Sequence, residues 1–164
     1  MAARAPLPAG VEIVTAPMIY ADVIAALHGR CFDEAWSPFT IRQVLNMPGA
    51  FGLVARGVDD AGDEDPAGFV LARSVADECE ILSLATAPAW RDRGVGRMLL
   101  DACIARVASQ GVTNLFLEVA EDNAVARQLY RQRGFNAVGR RDGYYRRREG
   151  PPVAALTLAL TLTP

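Results

Sequence analysis

The sequence predicts an α/β (α+β) domain in which helices flank one mixed sheet. About half of the 164 residues are apolar, which is enough to build one hydrophobic core. Apolar residues recur with the period of strands in some segments and with the period of helices in others. These segments follow one another without an internal repeat or a long linker. We therefore expect one domain over residues 1–164.

The first half of the chain contains two predicted helices after an initial strand. Residues 11–15 (VEIVT) are expected to form this strand, and residues 17–32 have apolar positions at helical spacing. Ser37 and Pro38 occupy the N-cap and first positions of a second helix over 37–47. Three further strands are predicted, over 51–56, 67–75 and 79–86.

The second half of the chain alternates more regularly between helix and strand. A helix is expected from about Gly94 to Gly111, where the glycine ends it. A strand over 113–120 and a helix over 123–133 follow. The last two strands are predicted over 135–141 and 153–162. The whole order gives a mixed sheet of about seven strands and about four helices.

Charge is unevenly distributed along the chain. All 17 basic residues are Arg, and with 19 acidic residues the net charge is −2. Residues 1–126 hold 9 Arg and 17 acids, whereas residues 127–164 hold 8 Arg and 2 acids. The basic C-terminal part is therefore either a solvated face or a region that attracts anions. The acidic segment GVDDAGDEDP (57–66) is expected to be a solvated turn.

Neither a membrane segment nor a metal site is expected. The start MAARAPLPAG has no apolar signal region, and the apolar run over 153–162 is too short to span a bilayer, so we expect a cytoplasmic protein. His28 is expected near a helix end, exposed or as a cap. The chain has three scattered cysteines, Cys31, Cys79 and Cys103. They form no CxxC pair and are expected in the core.

The segment RDRGVG (91–96) stands between a predicted strand and a predicted helix. Glycine in a first helical turn costs about 1 kcal/mol relative to alanine. It allows a ligand to approach the backbone closely, and the first N–H groups of the helix have no intrahelical partner. Charge-assisted hydrogen bonds contribute roughly 1.5–3 kcal/mol each, so a few outweigh this cost. The segment matches neither GxGxxG nor GxxxxGK[ST], but it suits a phosphate or pyrophosphate.

The same segment fits the R/Q-x-x-G-x-G/A signature of the GNAT superfamily of acetyl-CoA-dependent N-acetyltransferases. LFLEVAEDNAVARQLYRQRGF (115–135) resembles the later motif of that superfamily. CFDEAWSPFTIRQVL (31–45) and the tyrosine pair at 144–145 resemble, more narrowly, the RimI-type ribosomal-protein-alanine N-acetyltransferases. The superfamily resemblance covers nearly the whole chain.

This resemblance implies that acetyl-CoA lies in a V-shaped opening between two parallel strands that splay apart, at 79–86 and 113–120. Backbone of the first strand would pair with the pantetheine amides, and N–H groups of the glycine turn would cradle the pyrophosphate. The implied cofactor-binding residues are Leu84, Ala85, Thr86, Asp92, Arg93, Gly94, Val95, Gly96, Arg97, Asn123 and Tyr130. No metal is implied.

Glu118 and Tyr130 are the candidate catalytic residues. Glu118 shares one face of its strand with Phe116, and a carboxylate among apolar neighbours suits a general base that acts directly or through water. The matching position in RimI-type enzymes serves as the base. Tyr130 lies two helical turns after Asn123 on the same face, with the small Ala126 between them. Its phenol is placed to protonate a departing thiolate.

The expected function is acetylation of the N-terminal α-amine of a protein, with a ribosomal protein as the acceptor that the resemblance implies. Two alternatives stay open: a GNAT enzyme for a small-molecule amine, and a non-catalytic module whose arginines between Arg127 and Arg148 bind RNA or a ribosome. Glu118, Asn123 and Tyr130 together argue against the non-catalytic module, so nucleic-acid binding is not expected.

One segment departs from the RimI-type pattern. Those chains usually carry an acidic residue just before the last strand, whereas this chain has RRREGPPVAAL with Glu149 as its only acid. The arginines at 146–148 would repel a basic peptide. The sequence alone therefore assigns neither the acceptor nor the oligomeric state.

Overall fold

The computed structural model describes residues 9–163, which form a seven-stranded mixed sheet and four α-helices. The strands are β1 (Glu12–Thr15), β2 (Ala50–Val58), β3 (Glu64–Val75), β4 (Glu78–Thr86), β5 (Asn114–Ala120), β6 (Asn136–Tyr145) and β7 (Val153–Thr161). The helices are α1 (Ala21–Cys31), α2 (Pro38–Leu45), α3 (Val95–Ser109) and α4 (Ala124–Gln132). Short 3₁₀ turns lie at Met18–Tyr20 and Pro88–Trp90. The predicted fold class agrees with this arrangement.

The strand order across the sheet is β1-β2-β3-β4-β5-β7-β6. Neighbouring strands are antiparallel except for β4 and β5, which are parallel. The helix α3 supplies the crossover between these two strands, as parallel neighbours require. The two strands that the family resemblance implied as a parallel pair are thus neighbours in the middle of the sheet.

Two loops are shorter than the sequence predicts. The strand β3 already begins at Glu64, so only the tip of the acidic segment is a turn, and the Asp59 carboxylate accepts two backbone hydrogen bonds there. The strand β6 continues to Tyr145, which pairs with Val153 of β7. The register shifts between Arg141 and Tyr145, so Asp142, Gly143 and Tyr144 form an irregularity within β6 and do not end the strand, and the tyrosine pair lies at a strand end.

The strand β3 is the centre of the hydrophobic core. Phe69, Val70 and Leu71 are fully buried, because helices cover both faces of the sheet at this strand. The ring of Phe69 stacks 6.1 Å from that of His28 in α1. On the opposite face, a Cβ at Gly68 would lie 3.0 Å from Leu99 of α3, so the helix packs directly on the strand.

His28 is buried in the core, whereas the sequence predicted an exposed or capping side chain. Its side chain is 97% buried (3% exposed), and its Nδ1 accepts a hydrogen bond from the Trp36 N–H at 3.0 Å. Its ring stacks on that of Trp36 at a centroid distance of 4.8 Å and lies tilted against that of Phe32 at 4.4 Å. Burial lowers the pKa of His28 to about 4. The neutral imidazole therefore accepts a backbone hydrogen bond from the loop that joins α1 to α2.

The cysteines lie in or beside the core, as expected. Cys79 and Cys103 are buried, and burial raises the pKa of Cys103 to about 12. Cys31 is half-buried, and its Sγ donates a hydrogen bond to the Thr86 carbonyl at 3.5 Å. Within residues 9–163, no group of three or more histidine, cysteine or acidic side chains is placed to hold a metal ion. No helix in that range is long and apolar enough to cross a membrane.

The N-cap of α2 provides a test of local stability. The Ser37 Oγ accepts the Thr40 N–H at 3.1 Å, and Pro38 is the first helical residue. We expect Ser37→Ala to lower the free energy of unfolding by about 1 kcal/mol, because one N–H at the helix start loses its partner. Urea denaturation measures this difference. Ser37→Thr keeps the oxygen and should stay near the parent, so equal losses for the two variants would contradict the prediction.

Candidate active site

A gap opens between the parallel strands β4 and β5. Their pairing runs only from Glu78 opposite Asn114 to Ile81 opposite Leu117. The strand β4 then continues to Thr86 along β3, and β5 continues along β7. Each strand thus keeps its outer partner, while the two inner edges diverge. This is the V-shaped opening that the resemblance implied.

A β-bulge in β4 explains why the strands diverge at this point. Ile81 pairs with Ala72 of β3, but Ser83 pairs with Leu71, so Leu82 is an extra residue in β4. A bulge bends its strand and increases the local twist. Leu82 follows directly after the last residue of β4 that pairs with β5. The bend therefore carries the end of β4 away from β5.

The three β4 residues predicted to bind the cofactor line this gap. Ala85 is buried, and Leu84 and Thr86 are half-buried. Their backbone edge toward β5 makes no strand pairing within the part of the chain that the structure describes. An extended ligand with its own amide groups can pair with such an edge. The Thr86 carbonyl already accepts hydrogen bonds from the Cys31 Sγ and the Arg91 Nε.

The glycine turn leads from the end of the gap into α3. Asp92 and Gly94 both adopt left-handed backbone conformations, with φ of 62° and 84°. The first backbone hydrogen bond of the helix runs from the Met98 N–H to the Gly94 carbonyl at 3.0 Å. The N–H groups of residues 95–97 precede that bond and stand at the positive end of the helix dipole. This geometry suits a phosphate group.

Gly96 lies where β4, α3 and α4 meet. A Cβ at this position would lie 3.4 Å from the Thr86 Oγ1 and 3.5 Å from the Leu129 Cδ2. A methyl group would just fit, and a larger side chain would have to displace one of these neighbours or fill the gap. The predicted cofactor turn is therefore continuous with the strand gap and with α4.

The charged side chains of the turn differ in their exposure. Arg93 is exposed, and its guanidinium lies over the Trp90 ring, 5.1 Å from the ring centroid. Asp92 is exposed, whereas Arg97 is half-buried. The Arg93 cation is therefore held against an aromatic ring.

Asn123 and Tyr130 occupy the two ends of α4. Asn123 is the N-cap, and its Oδ1 accepts the Ala126 N–H at 3.1 Å. Tyr130 is only 6% exposed, and its ring meets the edge of Phe135 at 5.6 Å. Burial raises the pKa of Tyr130 well above its usual value. The phenol therefore keeps its proton throughout the neutral range.

The surroundings of Glu118 are more polar than the sequence suggested. Its side chain is 20% exposed, and its Oε1 lies 3.1 Å from the Arg141 Nη2. The pKa of Tyr145 is raised mainly by burial and secondly by the negative charge of Glu118. Tyr145 in turn contributes to the raised pKa of Tyr130. Tyr145 thus interacts electrostatically with both Glu118 and Tyr130.

Arg141 and Tyr145 were missed as members of the site. Tyr145 was part of the motif that carried the family resemblance, but no role followed from its position. Arg141 is 23 residues from Glu118 in sequence, and the sequence gives no sign of their pairing. The register of β5, β7 and β6 brings the two side chains together.

The basic C-terminal part of the chain pairs with acidic residues of the preceding part. The ion pairs are Arg133 with Asp101, Arg140 with Glu121, Arg141 with Glu118, and Arg147 with Asp122. These arginines are therefore partly neutralised by neighbours within the fold. A continuous basic surface of the kind that binds nucleic acid is not formed by these four residues.

Comparison with known proteins gives consistent results. Residues 21–135 match the family model described as the acetyltransferase (GNAT) family. The chain is 32% identical over 127 residues to the ribosomal protein bS18-alanine N-acetyltransferase of Haemophilus ducreyi, covering 77% of this chain and 83% of that relative.

Solved structures have the same fold. The ribosomal-protein-S18-alanine N-acetyltransferase from Escherichia coli superposes with a TM-score of 0.82 and 26% identity, covering 92% of this chain and 93% of that chain. NAA60 from Arabidopsis thaliana in complex with acetyl-CoA superposes with a TM-score of 0.78 over 93% of this chain and 98% of that chain; at 18% identity it supports the fold alone. The resemblance seen in RDRGVG and in 115–135 is confirmed: the chain belongs to the GNAT family of acetyltransferases.

Proposed function

We propose that this chain transfers an acetyl group from acetyl-CoA to the N-terminal α-amine of a protein. The observation that carries the proposal is the gap between β4 and β5, which opens after Ile81 and Leu117, directly before Glu118, and extends to Thr86, beside Gly96 at the start of α3. The Haemophilus ducreyi relative is named for the alanine of ribosomal protein bS18. We extend that acceptor class, a ribosomal protein, to this chain.

The polar groups of acetyl-CoA match the groups that the gap offers. The open edge of β4 supplies backbone partners for the pantetheine amides, and the start of α3 supplies N–H donors for the pyrophosphate. The residues assigned to the cofactor are Leu84, Ala85, Thr86, Asp92, Arg93, Gly94, Val95, Gly96, Arg97, Asn123 and Tyr130. Asn123 retains its amide N–H groups for the cofactor arm, since its Oδ1 caps α4.

The chemistry needs one proton to leave the acceptor and one to reach the departing sulfur. The amine nitrogen forms the new bond to the acetyl carbon, and the carbon–sulfur bond breaks. We assign Glu118 as the base that takes the amine proton, directly or through water, and Tyr130 as the acid that protonates the sulfur. Because burial raises the pKa of Tyr130, its phenol holds that proton throughout the neutral range.

The acceptor class follows from the cost of deprotonation. An α-amine has a reference pKa near 7.7–8.0, so a useful fraction is neutral at neutral pH. A lysine side chain, with a reference pKa near 10.4, needs roughly 3–4 kcal/mol more. A single carboxylate base such as Glu118, already paired with Arg141, is better matched to the α-amine.

The cofactor assignment predicts that backbone donors matter more than arginine charge. We expect Gly96→Val to weaken acetyl-CoA binding about tenfold or more, because the new side chain displaces the phosphate from one or two N–H donors. Arg93→Ala should weaken it only a few fold, since an exposed cation contributes little. Calorimetric titration measures both dissociation constants. Parent affinity in Gly96→Val would contradict this placement of the pyrophosphate.

Release of CoA thiol against a panel of acceptors tests the function. The panel contains a peptide with N-terminal alanine, the same peptide with a blocked N-terminus and an internal lysine, and small amines. Faster release with the free N-terminus supports the proposal, and its N-terminally blocked counterpart is the matched control. Release with lysine or small amines alone would refute the acceptor class. No release, with RNA binding that weakens steeply with salt, would favour the non-catalytic alternative.

A further inference from the structure

One tryptophan fastens the turn between β4 and α3 to the β2–β3 hairpin. Trp90 is only 6% exposed, and its Nε1–H donates a hydrogen bond to the Asp65 Oδ2 at 2.7 Å. Its ring covers Gly57, where a Cβ would lie 2.7 Å from the Trp90 Cζ2. Gly57 and Asp65 are opposite each other in the β2–β3 register. One cross-strand pair therefore supplies both the space for the indole ring and the acceptor for its N–H.

The backbone of the turn is docked on the same hairpin. A register shift between β2 and β3 leaves Ala67 out of the pairing, between Pro66 and Gly68. The Ala67 carbonyl accepts the Ala87 N–H at 2.8 Å, and the Ala87 carbonyl accepts the Trp90 N–H at 2.8 Å. The bulge therefore directs a carbonyl toward the end of β4, which orients the turn before Trp90 reaches the hairpin.

The backbone that follows Trp90 adopts an unfavourable left-handed conformation at Asp92. Asp92 has a φ of 62°, a left-handed conformation that costs free energy for any residue with a Cβ. Gly94 is left-handed as well, and Arg93 between them lies over the Trp90 ring. Such a conformation persists only where the surrounding structure fixes it. The fixed indole ring supplies a support directly before this stretch.

We propose that Trp90, through its hydrogen bond to Asp65, is a positioning residue for the pyrophosphate of acetyl-CoA. It does not touch the cofactor; it fixes the turn 91–94 so that the N–H groups at the start of α3 are oriented before the cofactor binds. A preformed site avoids the entropy cost of ordering the turn on binding. The inference rests on the proposed function, because the turn has this role only if acetyl-CoA occupies the gap.

Packing alone would give different results from positioning. If Trp90 only fills the core, its loss should affect every donor substrate alike, including one without a pyrophosphate. S-acetyl-pantetheine carries the same thioester and amides as acetyl-CoA but has no pyrophosphate. Positioning of the pyrophosphate therefore changes the preference between these two donors, which a general loss of packing leaves unchanged.

The experiment compares full-length variants that differ in this one hydrogen bond. Trp90→Phe and Asp65→Ala each remove it, Asp65→Asn keeps an acceptor oxygen, and Trp36→Phe makes the same substitution at another indole. We expect the dissociation constant for acetyl-CoA to rise about tenfold in the first two variants, the lower end for a hydrogen bond to a charged group. The double variant should show no further loss. Asp65→Asn and Trp36→Phe should stay near the parent.

Turnover with the two donors provides the second measurement. We expect the kcat/KM for acetyl-CoA relative to S-acetyl-pantetheine to fall about tenfold in Trp90→Phe, as the dissociation constant rises. Equal losses with both donors, additive losses in the double variant, or parent affinity in Asp65→Ala would each overturn the proposal. A parent chain that neither binds acetyl-CoA nor releases thiol would instead refute the proposed function itself. Circular dichroism of each variant verifies that it is folded.

Discussion

Tyr130→Phe is expected to lower turnover by about 10²–10⁴-fold, the usual contribution of a general acid, while acetyl-CoA affinity stays nearly unchanged. The substitution removes one hydroxyl and keeps the ring that packs against Phe135. The missing proton is needed where charge develops on the departing sulfur, so the loss falls on the transition state and spares the ground state.

The pH dependence of this loss has a definite sign. Burial raises the pKa of Tyr130, so the parent phenol stays protonated across the neutral and mildly alkaline range. The ratio of parent to Tyr130→Phe turnover should therefore be constant there, because raising the pH does not supply a proton to the sulfur. Tyr20→Phe, outside the candidate site, is the matched control. Parent turnover in Tyr130→Phe would remove the phenol from the proposed chemistry.

Local features of the fold were predictable from the sequence. Ser37 followed by Pro38 identifies the start of α2, and Gly94 before an apolar period identifies the start of α3. Both starts can be predicted from the sequence because a capping hydrogen bond and a left-handed glycine conformation depend on residues that are close together in the chain. The strand order was not accessible in this way, since it depends on pairing between distant segments.

Features of the site that depend on distant contacts could not be predicted. The bulge at Leu82 lies in a segment that has the pattern of a regular strand, and only its register against β3 reveals the extra residue. The position of His28 near a helix end predicted an exposed or capping side chain, yet the rings of Phe32 and Trp36 pack against its imidazole. The bulge depends on pairing with β3, and the burial of His28 depends on the conformation of the loop after α1 and on Phe69 of β3.

The ion pair between Glu118 and Arg141 affects how the base can work. Arg141 is mostly exposed, and its guanidinium also lies over the Tyr144 ring at 5.3 Å. The ion pair engages the Oε1 of Glu118, and we assign the other carboxylate oxygen to the acceptor proton. Orientation by a neighbour of this kind is a common requirement for a general base.

Glu118→Gln is expected to lower turnover by about 10²–10⁴-fold near neutral pH, the usual contribution of a general base. The amide has the same size and still offers an oxygen to Arg141, but it cannot take a proton from the amine. The defect should shrink as the pH rises past the α-amine reference pKa of about 7.7–8.0, because more acceptor is then already neutral. This rescue is the opposite of the constant ratio expected for Tyr130→Phe.

A pH–rate series with an alanine-starting peptide and saturating acetyl-CoA distinguishes the two proton-transfer roles. Glu121→Gln is the matched control for the carboxylate, since Glu121 also forms an ion pair with an arginine of β6, Arg140. We expect that variant to follow the parent profile at every pH. A Glu118→Gln defect that stays constant from neutral to alkaline pH would assign this carboxylate to the binding of Arg141 or the peptide, because only the loss of a base is relieved by prior deprotonation of the amine.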